Sequence, residues 1–379
     1  MKTLQLGMGW FPEQSGGLNR YYYGASHHLP EVGVNLLGLV TGSEQVALTT
    51  QQSIQAFAAT ESNLLSRWQG VRQSVKQLKL AEYDLAVAHF AIYAFPVLNQ
   101  LNDLPLVFHF HGPWALESDA ENQKPLEVWL KKSLEKVVYH RVNSFIVLSQ
   151  AFKELLHQQY GVRLSKIHVV PGGVDLEQFE ISSSQSQARA KLGWEQDRTI
   201  LFCVRRLAKR MGLENLVQAI AIVKTQYPDI LLCIAGKGAL APALETQIAE
   251  LNLTEQVRLL GYLPDEQLPI AYRAANFSVV PTVSFEGFGL IIIESLATGT
   301  PVLGTPVGGI PEILQPFCPD LLFEDASVNK LAQGIIEVLA HKRQLPSSEA
   351  CQTYVKNNYA WSVIAPQIKS VYQQTINDV

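Results

Sequence analysis

The stretch Ser284-Phe-Glu-Gly-Phe-Gly-Leu-Ile-Ile-Ile-Glu-Ser-Leu-Ala-Thr-Gly299 joins a glycine-rich turn to a strongly apolar run. Gly287 and Gly289 let the backbone approach a ligand closely and adopt φ values that other residues resist. The apolar run Leu290–Ala297 predicts a buried helix, stopped by Gly299 at its C-terminal cap. Such a helix directs free N–H groups and a partial positive charge at whatever lies before it, which suits a phosphate group.

Two glutamates flank this turn, and the pattern indicates a different role for each. Glu286 lies in the loop, near the reacting end of any bound anion. Glu294 lies within the helix, where side chains lean toward the N-terminus, so its carboxylate points back toward the same site. Burying that carboxylate is costly unless it accepts hydrogen bonds, for example from vicinal sugar hydroxyls. The structural alternative is that Glu286 caps the helix and Glu294 reaches solvent at one edge.

The composition is that of a globular protein large enough for two domains. The chain has 379 residues, 47% of them hydrophobic and 17% charged, and a formal net charge of -4 that argues against a dedicated nucleic-acid binder. Its four cysteines lack Cys-x-x-Cys spacing, which argues against zinc sites and favours a reducing compartment. Neither a signal peptide nor a run of the ~20 apolar residues of a membrane span is evident. We therefore expect a cytoplasmic protein.

Short apolar runs alternate with helical stretches in two successive series, which predicts two doubly wound α/β domains with parallel sheets. A connector, Pro171-Gly-Gly-Val-Asp175, separates the two series, and apolar spacing over 361–376 predicts one final amphipathic helix. The predicted strands are 4–7, 34–40, 85–88, 106–110, 145–148 and 167–170 in the first series, and 199–204, 231–235, 257–260, 277–280, 301–304 and 321–323 in the second.

Ligands of such sheets bind beyond the carboxyl ends of the strands, so the strand exits of the first series are candidate sites. Gly16 and Gly17 precede a helix and could let backbone N–H groups approach a diphosphate or sugar, although an ordinary flexible turn would have the same sequence. Alternation places His109 and His111 on one side of a strand, with His111 at its end. His89, at the end of the preceding strand, is a weaker candidate for the same cleft. A metal site is not expected, since no third ligand stands at suitable spacing near the pair.

The strand exits of the second series are basic and glycine-rich. Arginine suits bidentate contact with a diphosphate, whereas the alternative for this segment is a solvated basic loop. Gly236, at the next exit, would let a nucleoside ring lie against the backbone, and Tyr262 and Leu263 offer contacts for a base. The basic residues after the first strand of this series are Arg205, Arg206, Lys209 and Arg210.

Together these residues resemble the retaining glycosyltransferases of family 4, whose GT-B fold has two facing Rossmann-like domains. The resemblance spans essentially the whole chain and includes the Gly16-Gly17 loop, His111-Gly112, the connector at 170–175 and the Arg206 segment. Its most specific element is the glutamate pair, with seven residues between its members. The resemblance implies an acceptor-side domain at 1–172, a nucleotide-sugar-binding domain at 173–357, and a segment at 358–379 whose helix packs back on the N-terminal domain.

The same resemblance implies roles for the candidate residues. Arg206 would hold the diphosphate, Glu294 the ribose and Glu286 the hydroxyls of the donor sugar. His111 would reach over from the other domain as a second catalytic residue. The backbone N–H groups that would complete the anion site belong to Phe288, Gly289 and Leu290.

One position departs from the family pattern. Where the family usually has a second phosphate-binding lysine, this chain has Met211, and the adjacent Arg210 is the candidate substitute. The family implies front-face attack on the sugar, with the leaving phosphate taking the proton of the acceptor. No Asp-x-Asp pair occurs in the sequence, so we expect neither a metal nor any other cofactor.

The leading hypothesis is a transferase that moves a hexose from a UDP-sugar, with UDP-glucose the first candidate, to a polysaccharide or lipid-linked saccharide in bacterial polysaccharide assembly. Residues 128–138 could lay basic and aromatic groups against the inner face of the membrane, or form a packed surface helix. The alternatives are a GT-B epimerase acting on UDP-sugars and a non-catalytic nucleotide-sugar-binding subunit. A silent subunit would not need to keep Glu286, Glu294, Arg206 and His111 together.

Overall fold

Two sets of parallel strands organise the chain. The computed structural model describes residues 1–11, 13–121 and 123–378. These divide into two compact units: an N-terminal unit of Met1–Gly173 joined by the C-terminal segment from Trp361, and a C-terminal unit of Val174–Ala360. The boundaries expected from the sequence, after residues 172 and 357, fall one and three residues before these.

The described part of the N-terminal unit contains a seven-stranded parallel sheet with strand order β3-β2-β1-β4-β5-β6-β7. Its strands are β1 (Lys2–Gly9), β2 (Asn35–Thr41), β3 (Ile54–Ala58), β4 (Leu85–Ala88), β5 (Leu106–Phe110), β6 (Ser144–Val147) and β7 (Ile167–Val169). The helices between them are α1 (Gly17–His28), α2 (Gln45–Thr49), α3 (Leu64–Lys76), α4 (Ala91–Ala94), α5 (Trp114–Ala120), α6 (Pro125–Arg141) and α7 (Gln150–Tyr160).

The C-terminal unit contains a five-stranded parallel sheet among its described residues, with order β10-β9-β8-β11-β12. Its strands are β8 (Thr199–Val204), β9 (Ile230–Ala235), β10 (Val257–Gly261), β11 (Phe277–Val280) and β12 (Val302–Gly304). Its helices are α8 (Leu176–Phe179), α9 (Gln185–Leu192), α10 (Leu213–Val223), α11 (Ala241–Glu250), α12 (Leu268–Ala274), α13 (Leu290–Ala297), α14 (Ile310–Phe317), α15 (Val328–Leu339) and α16 (Ser348–Tyr359).

The central strands are buried on both faces, which explains why they are continuous apolar runs rather than alternating ones. In β5 every residue is buried, and the same is true of β9 and β11. Helix α17 (Trp361–Asn377) belongs to the N-terminal unit, where it packs on α1, β5 and β6. None of the helices in the described ranges is both long and apolar enough to cross a membrane.

Two strand predictions were wrong. The edge strand β3 was not predicted, because its sequence Ile-Gln-Ala-Phe-Ala is short and mixes polar with apolar residues. The predicted strand 321–323 is not a strand, because Pro319 begins a 3₁₀ turn, Pro319–Leu321, at that point. Among the described residues, an isolated bridge between Gly304 and Leu322 links this segment to the sheet.

Candidate active site

The carboxyl edge of the C-terminal sheet brings together a buried ion pair. Arg205 follows β8 and Thr282 follows β11, while Glu286 lies further along the loop after β11. Arg205 Nη2 lies 2.5 Å from Glu286 Oε2, and their side chains are only 8% and 14% exposed. Thr282 Oγ1 donates to the same carboxylate oxygen at 3.2 Å, and Arg205 also contacts this hydroxyl. Glu286 is therefore held by a guanidinium and a hydroxyl at the edge of the sheet.

The backbone around Glu286 is fixed by close contacts. Arg210 Nη1 donates to the carbonyl of Phe285 at 2.9 Å, and Phe285 has a φ of +54°, which a bulky L-residue adopts only under constraint. On the other side, the N–H of Gly309 donates to the Glu286 carbonyl at 3.0 Å. Gly308 has a φ of +57°, and a Cβ built there would lie 1.9 Å from that carbonyl oxygen, so only glycine fits.

Helix α13 begins directly after this loop and has an open N-terminus. Its N-cap, Gly289, has a φ of +101° and provides no side-chain hydrogen bond to the first turn. Phe288 is buried and packs edge-to-face on Tyr359, with ring centroids 5.6 Å apart, which anchors the turn from within. The first helical residue is Leu290, as the sequence predicts. Backbone N–H groups at such a terminus are suited to an anion.

Glu294 is a buried carboxylate in the middle of α13. Only 4% of the residue is exposed, and its Oε2 accepts a hydrogen bond from the Tyr272 hydroxyl at 3.1 Å. The alternative in which Glu294 reaches solvent is wrong, because the helix is buried on all sides at this turn. The other alternative, Glu286 as the helix cap, is also wrong, because that carboxylate pairs with Arg205 and no side chain caps α13.

The remaining candidates for donor contacts line the neighbouring strand exits. Gly236 has a φ of +140°, and a Cβ there would lie 1.8 Å from the Arg205 carbonyl oxygen, so this glycine lets the exits of β8 and β9 approach each other. Tyr262 follows β10 and is about half exposed, and Lys237 Nζ lies 5.2 Å from its ring centroid. Leu263, beside it, is partly buried.

The basic turn after β8 divides into inward and outward residues. Arg206 is exposed on this turn, whereas its neighbour Arg205 points to Glu286. Met211 is buried and ends the 3₁₀ turn Lys209–Met211, so the position of the usual family lysine is here part of the apolar packing. Arg210, next to it, is directed to the loop at Phe285.

In the N-terminal unit, Gly16 and Gly17 form an exposed, open turn at the start of α1. Gly16 has a φ of +140° and is the N-cap, with no side-chain hydrogen bond to the helix. A Cβ at either glycine would meet no described atom within 4 Å. The space before α1 is therefore open to a ligand.

A cluster of histidines, His89, His109 and His111, lies at the carboxyl ends of the adjacent strands β4 and β5. His89 Nδ1 and His111 Nε2 are 3.2 Å apart with ring planes inclined by only 18°, as in an edge-to-edge hydrogen bond. His109 lies between two tyrosine hydroxyls, with Nδ1 3.2 Å from that of Tyr21 and Nε2 2.7 Å from that of Tyr372 on α17. His89 and His109 are 1% exposed, whereas His111 is partly exposed.

Burial keeps these imidazoles neutral. It lowers the pKa of His111 to about 3. For His89, burial and the neighbouring His109 and His111 lower the pKa well below its usual value, and burial together with His111 does the same for His109. All three rings are therefore hydrogen-bonding groups without charge at neutral pH.

The cluster has the ligand set of a three-histidine metal site, since ring nitrogens of all three residues lie within 4.8 Å of one another. The expectation that His109 and His111 have no third ligand beside them is wrong, because the parallel pairing of β4 with β5 brings His89 next to them. The nitrogens are already engaged, however. His89 and His111 bond to each other, and His109 to two hydroxyls, so an ion would have to replace these hydrogen bonds.

Several residues at these sites were not singled out from the sequence. Arg205 was grouped with its basic neighbours, and Thr282 was not considered, although both lie at strand exits. Gln5, whose Oε1 lies 3.4 Å from His89 Nε2, is a buried polar residue inside the apolar strand β1, and a polar residue in such a strand is the signal that could have found it. Tyr21 and Tyr372 carry no such signal, because aromatic residues on amphipathic helices are ordinary core residues.

Comparison with known proteins adds the family. Residues 15–178 match the family described as Glycosyltransferase Family 4, and residues 184–361 match Glycosyl transferases group 1. The D-inositol 3-phosphate glycosyltransferase of Corynebacterium urealyticum is 26% identical over 358 residues, covering 90% of this chain and 81% of that protein. An uncharacterized glycosyltransferase of Methanocaldococcus jannaschii is 27% identical over 239 residues, covering 60% of this chain and 59% of its own length.

Solved structures share the architecture over the whole chain. Sucrose-phosphate synthase from Thermosynechococcus elongatus superposes with a TM-score of 0.81 at 22% identity, covering 100% of both chains. HepE of Anabaena, in complex with UDP-glucose, has a TM-score of 0.79 at 20% identity and the same coverage. At this level of identity the likeness establishes the fold.

The fold and the matching families define the class of protein: a glycosyltransferase with the GT-B architecture of two parallel-sheet α/β domains. Within that class, the chain belongs to the group 1, or family 4, glycosyltransferases. The predicted family and fold class are thereby confirmed.

Proposed function

We propose that this glycosyltransferase moves a hexose, with glucose the first candidate, from a UDP-sugar to a saccharide or lipid-linked saccharide acceptor, with retention at the anomeric carbon. Two features support UDP as the nucleotide: the fold shared with HepE, whose structure was solved with UDP-glucose, and the half-exposed ring of Tyr262, on which a base could stack. Glucose remains a first candidate because no residue identified above reads the sugar itself.

The observation that carries the proposal is the open N-terminus of α13 beside the Arg205–Glu286 pair. A diphosphate at this terminus would accept hydrogen bonds from the N–H groups of Gly289 and Leu290 and lie in the positive end of the helix dipole. Arg206 and Arg210, on the neighbouring turn, are the proposed guanidinium partners. Arg210 already fixes this loop through Phe285, so it can act without moving far.

Charge development explains the roles of these groups. As the anomeric C–O bond breaks, positive charge grows on the sugar and the bonding electrons pass to the diphosphate oxygen. The helix terminus and the arginines stabilise that oxygen without reorganising. The acceptor hydroxyl then forms the new C–O bond from the same face, and its proton passes to the departing phosphate. Retention follows because attack and departure share one face.

Glu286 suits a hydrogen-bonding role better than a nucleophilic one. One of its oxygens is engaged by both Arg205 and Thr282, and a carboxylate so engaged is a weak nucleophile. We propose that it accepts hydrogen bonds from hydroxyls of the donor sugar and that Glu294 does the same for the ribose. In the N-terminal unit, the proposed partners of sugar hydroxyls or phosphate are His111 and the turn at Gly16 and Gly17.

Because the acceptor is proposed to include lipid-linked saccharides, we also propose that α6 makes peripheral contact with an anionic membrane surface. Its outer face carries four large apolar side chains that are more than half exposed, Trp129 among them at 63%. Lysines at 124, 132 and 136 accompany these side chains and would pair with anionic head groups. The exposed apolar residues are Leu126, Trp129, Leu130 and Val137.

The test is product analysis with the purified full chain, UDP-glucose and a panel of saccharide and lipid-linked acceptors. Transfer with an α-linked product from the α-linked donor is expected, and Glu286→Ala should abolish it while leaving UDP binding largely intact. Release of UDP and an altered free sugar would instead identify an epimerase. UDP binding without turnover of any donor would identify a binding subunit.

A further inference from the structure

The histidine cluster contains a chain of hydrogen bonds that leads from the interior of the sheet to His111. It crosses three adjacent strands, beginning in β1, passing the end of β4 and finishing after β5. Thr3 Oγ1 lies 3.4 Å from the Asn35 carbonyl and accepts from Gln5 Nε2 at 3.2 Å. Gln5 Oε1 lies 3.4 Å from His89 Nε2, and His89 Nδ1 lies 3.2 Å from His111 Nε2.

The direction of this chain follows from its first members. The Thr3 hydroxyl donates its one proton to the Asn35 carbonyl, so toward Gln5 it can only accept, and it faces the amide nitrogen. The amide oxygen of Gln5 then faces His89 and can only accept, which puts the proton of His89 on Nε2. Reversing the amide would require Thr3 to give up the Asn35 carbonyl, so the network favours this orientation of the Gln5 amide.

The proton on His89 decides the tautomer of His111. A neutral His89 with its proton on Nε2 has a bare Nδ1, which accepts from His111 Nε2–H. His111 must then carry its own lone pair on Nδ1. That nitrogen makes no hydrogen bond to any residue within 1–11, 13–121 and 123–378, and His111 is the partly exposed member of the cluster. Burial, which lowers the pKa of His111 to about 3, keeps the ring in this neutral form.

We propose that His89 is a positioning residue that, together with Gln5, holds His111 in the Nε2–H tautomer. In this tautomer the Nδ1 of His111 accepts a hydrogen bond from a sugar hydroxyl. This role rests on the proposed function, in which His111 contacts a sugar hydroxyl. The tautomer itself is a property of the free protein. An acceptor at this position takes the hydrogen bond of a sugar hydroxyl and leaves the hydroxyl oxygen electron-rich. The other tautomer would instead donate a hydrogen bond to that oxygen.

Full-length protein labelled with ¹⁵N-histidine tests the assignment, because a bare ring nitrogen and a protonated one differ widely in chemical shift. The chain has nine histidines, and single substitutions would assign their signals. We expect His111 to show a protonated Nε2 and a bare Nδ1 at pH 7. Finding the proton on Nδ1 would overturn the proposal whether or not the protein turns over any sugar donor.

Two substitutions at His89 separate positioning from packing. His89→Asn places an amide oxygen near the position of Nδ1 and should keep the His111 tautomer. His89→Gln places its amide near the position of Nε2, removes the acceptor, and should give a mixture of tautomers. Gln5→Met should give the same mixture without touching His89, so the proposal stays testable if one variant folds poorly. An unchanged single tautomer in both His89→Gln and Gln5→Met would overturn it.

The same variants connect the tautomer to chemistry through UDP release from UDP-glucose in water. We expect kcat to fall roughly tenfold to a hundredfold in His89→Gln, in line with the loss of an outer partner that orients a functional imidazole. His89→Asn should retain a larger part of kcat. The control His27→Gln, at an exposed position, should change neither the His111 chemical shifts nor kcat. Equal losses in the Asn and Gln variants would contradict positioning by His89. If the unaltered protein turns over no sugar donor with any acceptor, the proposed function fails, and the tautomer measurement still decides the role of His89.

Discussion

Replacing Arg205 by Met tests the ion pair that holds Glu286. The change removes the guanidinium 2.5 Å from the carboxylate and leaves Glu286 with Thr282 as its remaining partner, at 3.2 Å. Lys209→Met is the matched control, because it removes an exposed cation from the same basic turn. We expect a loss of both stability and turnover in the first variant and only a small change in stability in the second.

The magnitude follows from burial. Removing one partner of a buried pair costs about 3–5 kcal/mol, because the remaining charge is left desolvated. The two side chains here are 8% and 14% exposed, so solvent relieves part of this cost. We therefore expect a loss of about 2–3 kcal/mol for Arg205→Met and within about 0.5 kcal/mol for the exposed control. The double variant with Glu286→Gln should recover about 1–3 kcal/mol relative to the sum of the single changes.

The assay must read the C-terminal unit alone, since a chain with two compact units need not unfold in one step. Hydrogen exchange of peptides from β8 and α13 at increasing urea concentrations gives that local free energy of unfolding. Additive losses in the double variant, or an Arg205→Met protein as stable as the control, would refute the buried pair.

Turnover separates the structural from the chemical role of the pair. The double variant should regain part of its stability but remain slower than the unaltered protein by about a hundredfold or more, the usual effect of removing a preorganised electrostatic group. The measurement is UDP release from UDP-glucose with acceptor present. If the double variant turned over at the unaltered rate, the carboxylate could have no role in the reaction.

Four further changes have defined outcomes. Gly308→Ala should lower turnover, because its Cβ would lie 1.9 Å from the Glu286 carbonyl oxygen. The control is Gly161→Ala, at a φ of +71° in open space, which should leave turnover unchanged and cost only about 1 kcal/mol of stability by thermal unfolding. Burial and His111 lower the pKa of His109, so the unfolded chain takes up this proton first as the pH falls below about 6.5. His109 should then contribute a fall of about 1.4 kcal/mol per pH unit to the free energy of unfolding, in addition to the contributions of His89 and His111, and His109→Phe should remove only the His109 share of the slope. Trp129→Ser should weaken sedimentation with anionic phospholipid vesicles, and Leu48→Ser, equally exposed on α2, should not; equal effects would exclude α6 as the contact. Turnover of UDP-glucose should be unchanged in excess EDTA, and its loss would require a metal.

The fold was predictable because its central strands are buried on both faces and therefore form apolar runs that stand out from the helices. The edge strand β3 was missed, because a strand at the edge of a sheet need not be apolar. The segment at Leu322 was wrongly predicted to be a strand, because an apolar run need not pair with a sheet. The start of α13 was predictable because glycines followed by an apolar run indicate a helix N-terminus from the local sequence alone.

The site was predictable in its position but not in its pairings. The sequence indicates that Glu286 lies near a basic strand exit, yet which of two adjacent arginines turns inward depends on the twist of β8 and its packing against Gly236. The chain from Gln5 through His89 to His111 depends on the order in which strands pair, which no local pattern reveals. The roles given to Glu286, Glu294 and His111 in the reaction stay predictions.

The central claim is that the turn before α13 binds the diphosphate of the donor. A crystal structure of the full-length protein with UDP-glucose bound tests it most directly. The claim predicts diphosphate oxygens at hydrogen-bond distance from the N–H groups of Gly289 and Leu290, with sugar hydroxyls on the Glu286 carboxylate. A well-ordered nucleotide anywhere else, with the 285–290 turn empty, would contradict it.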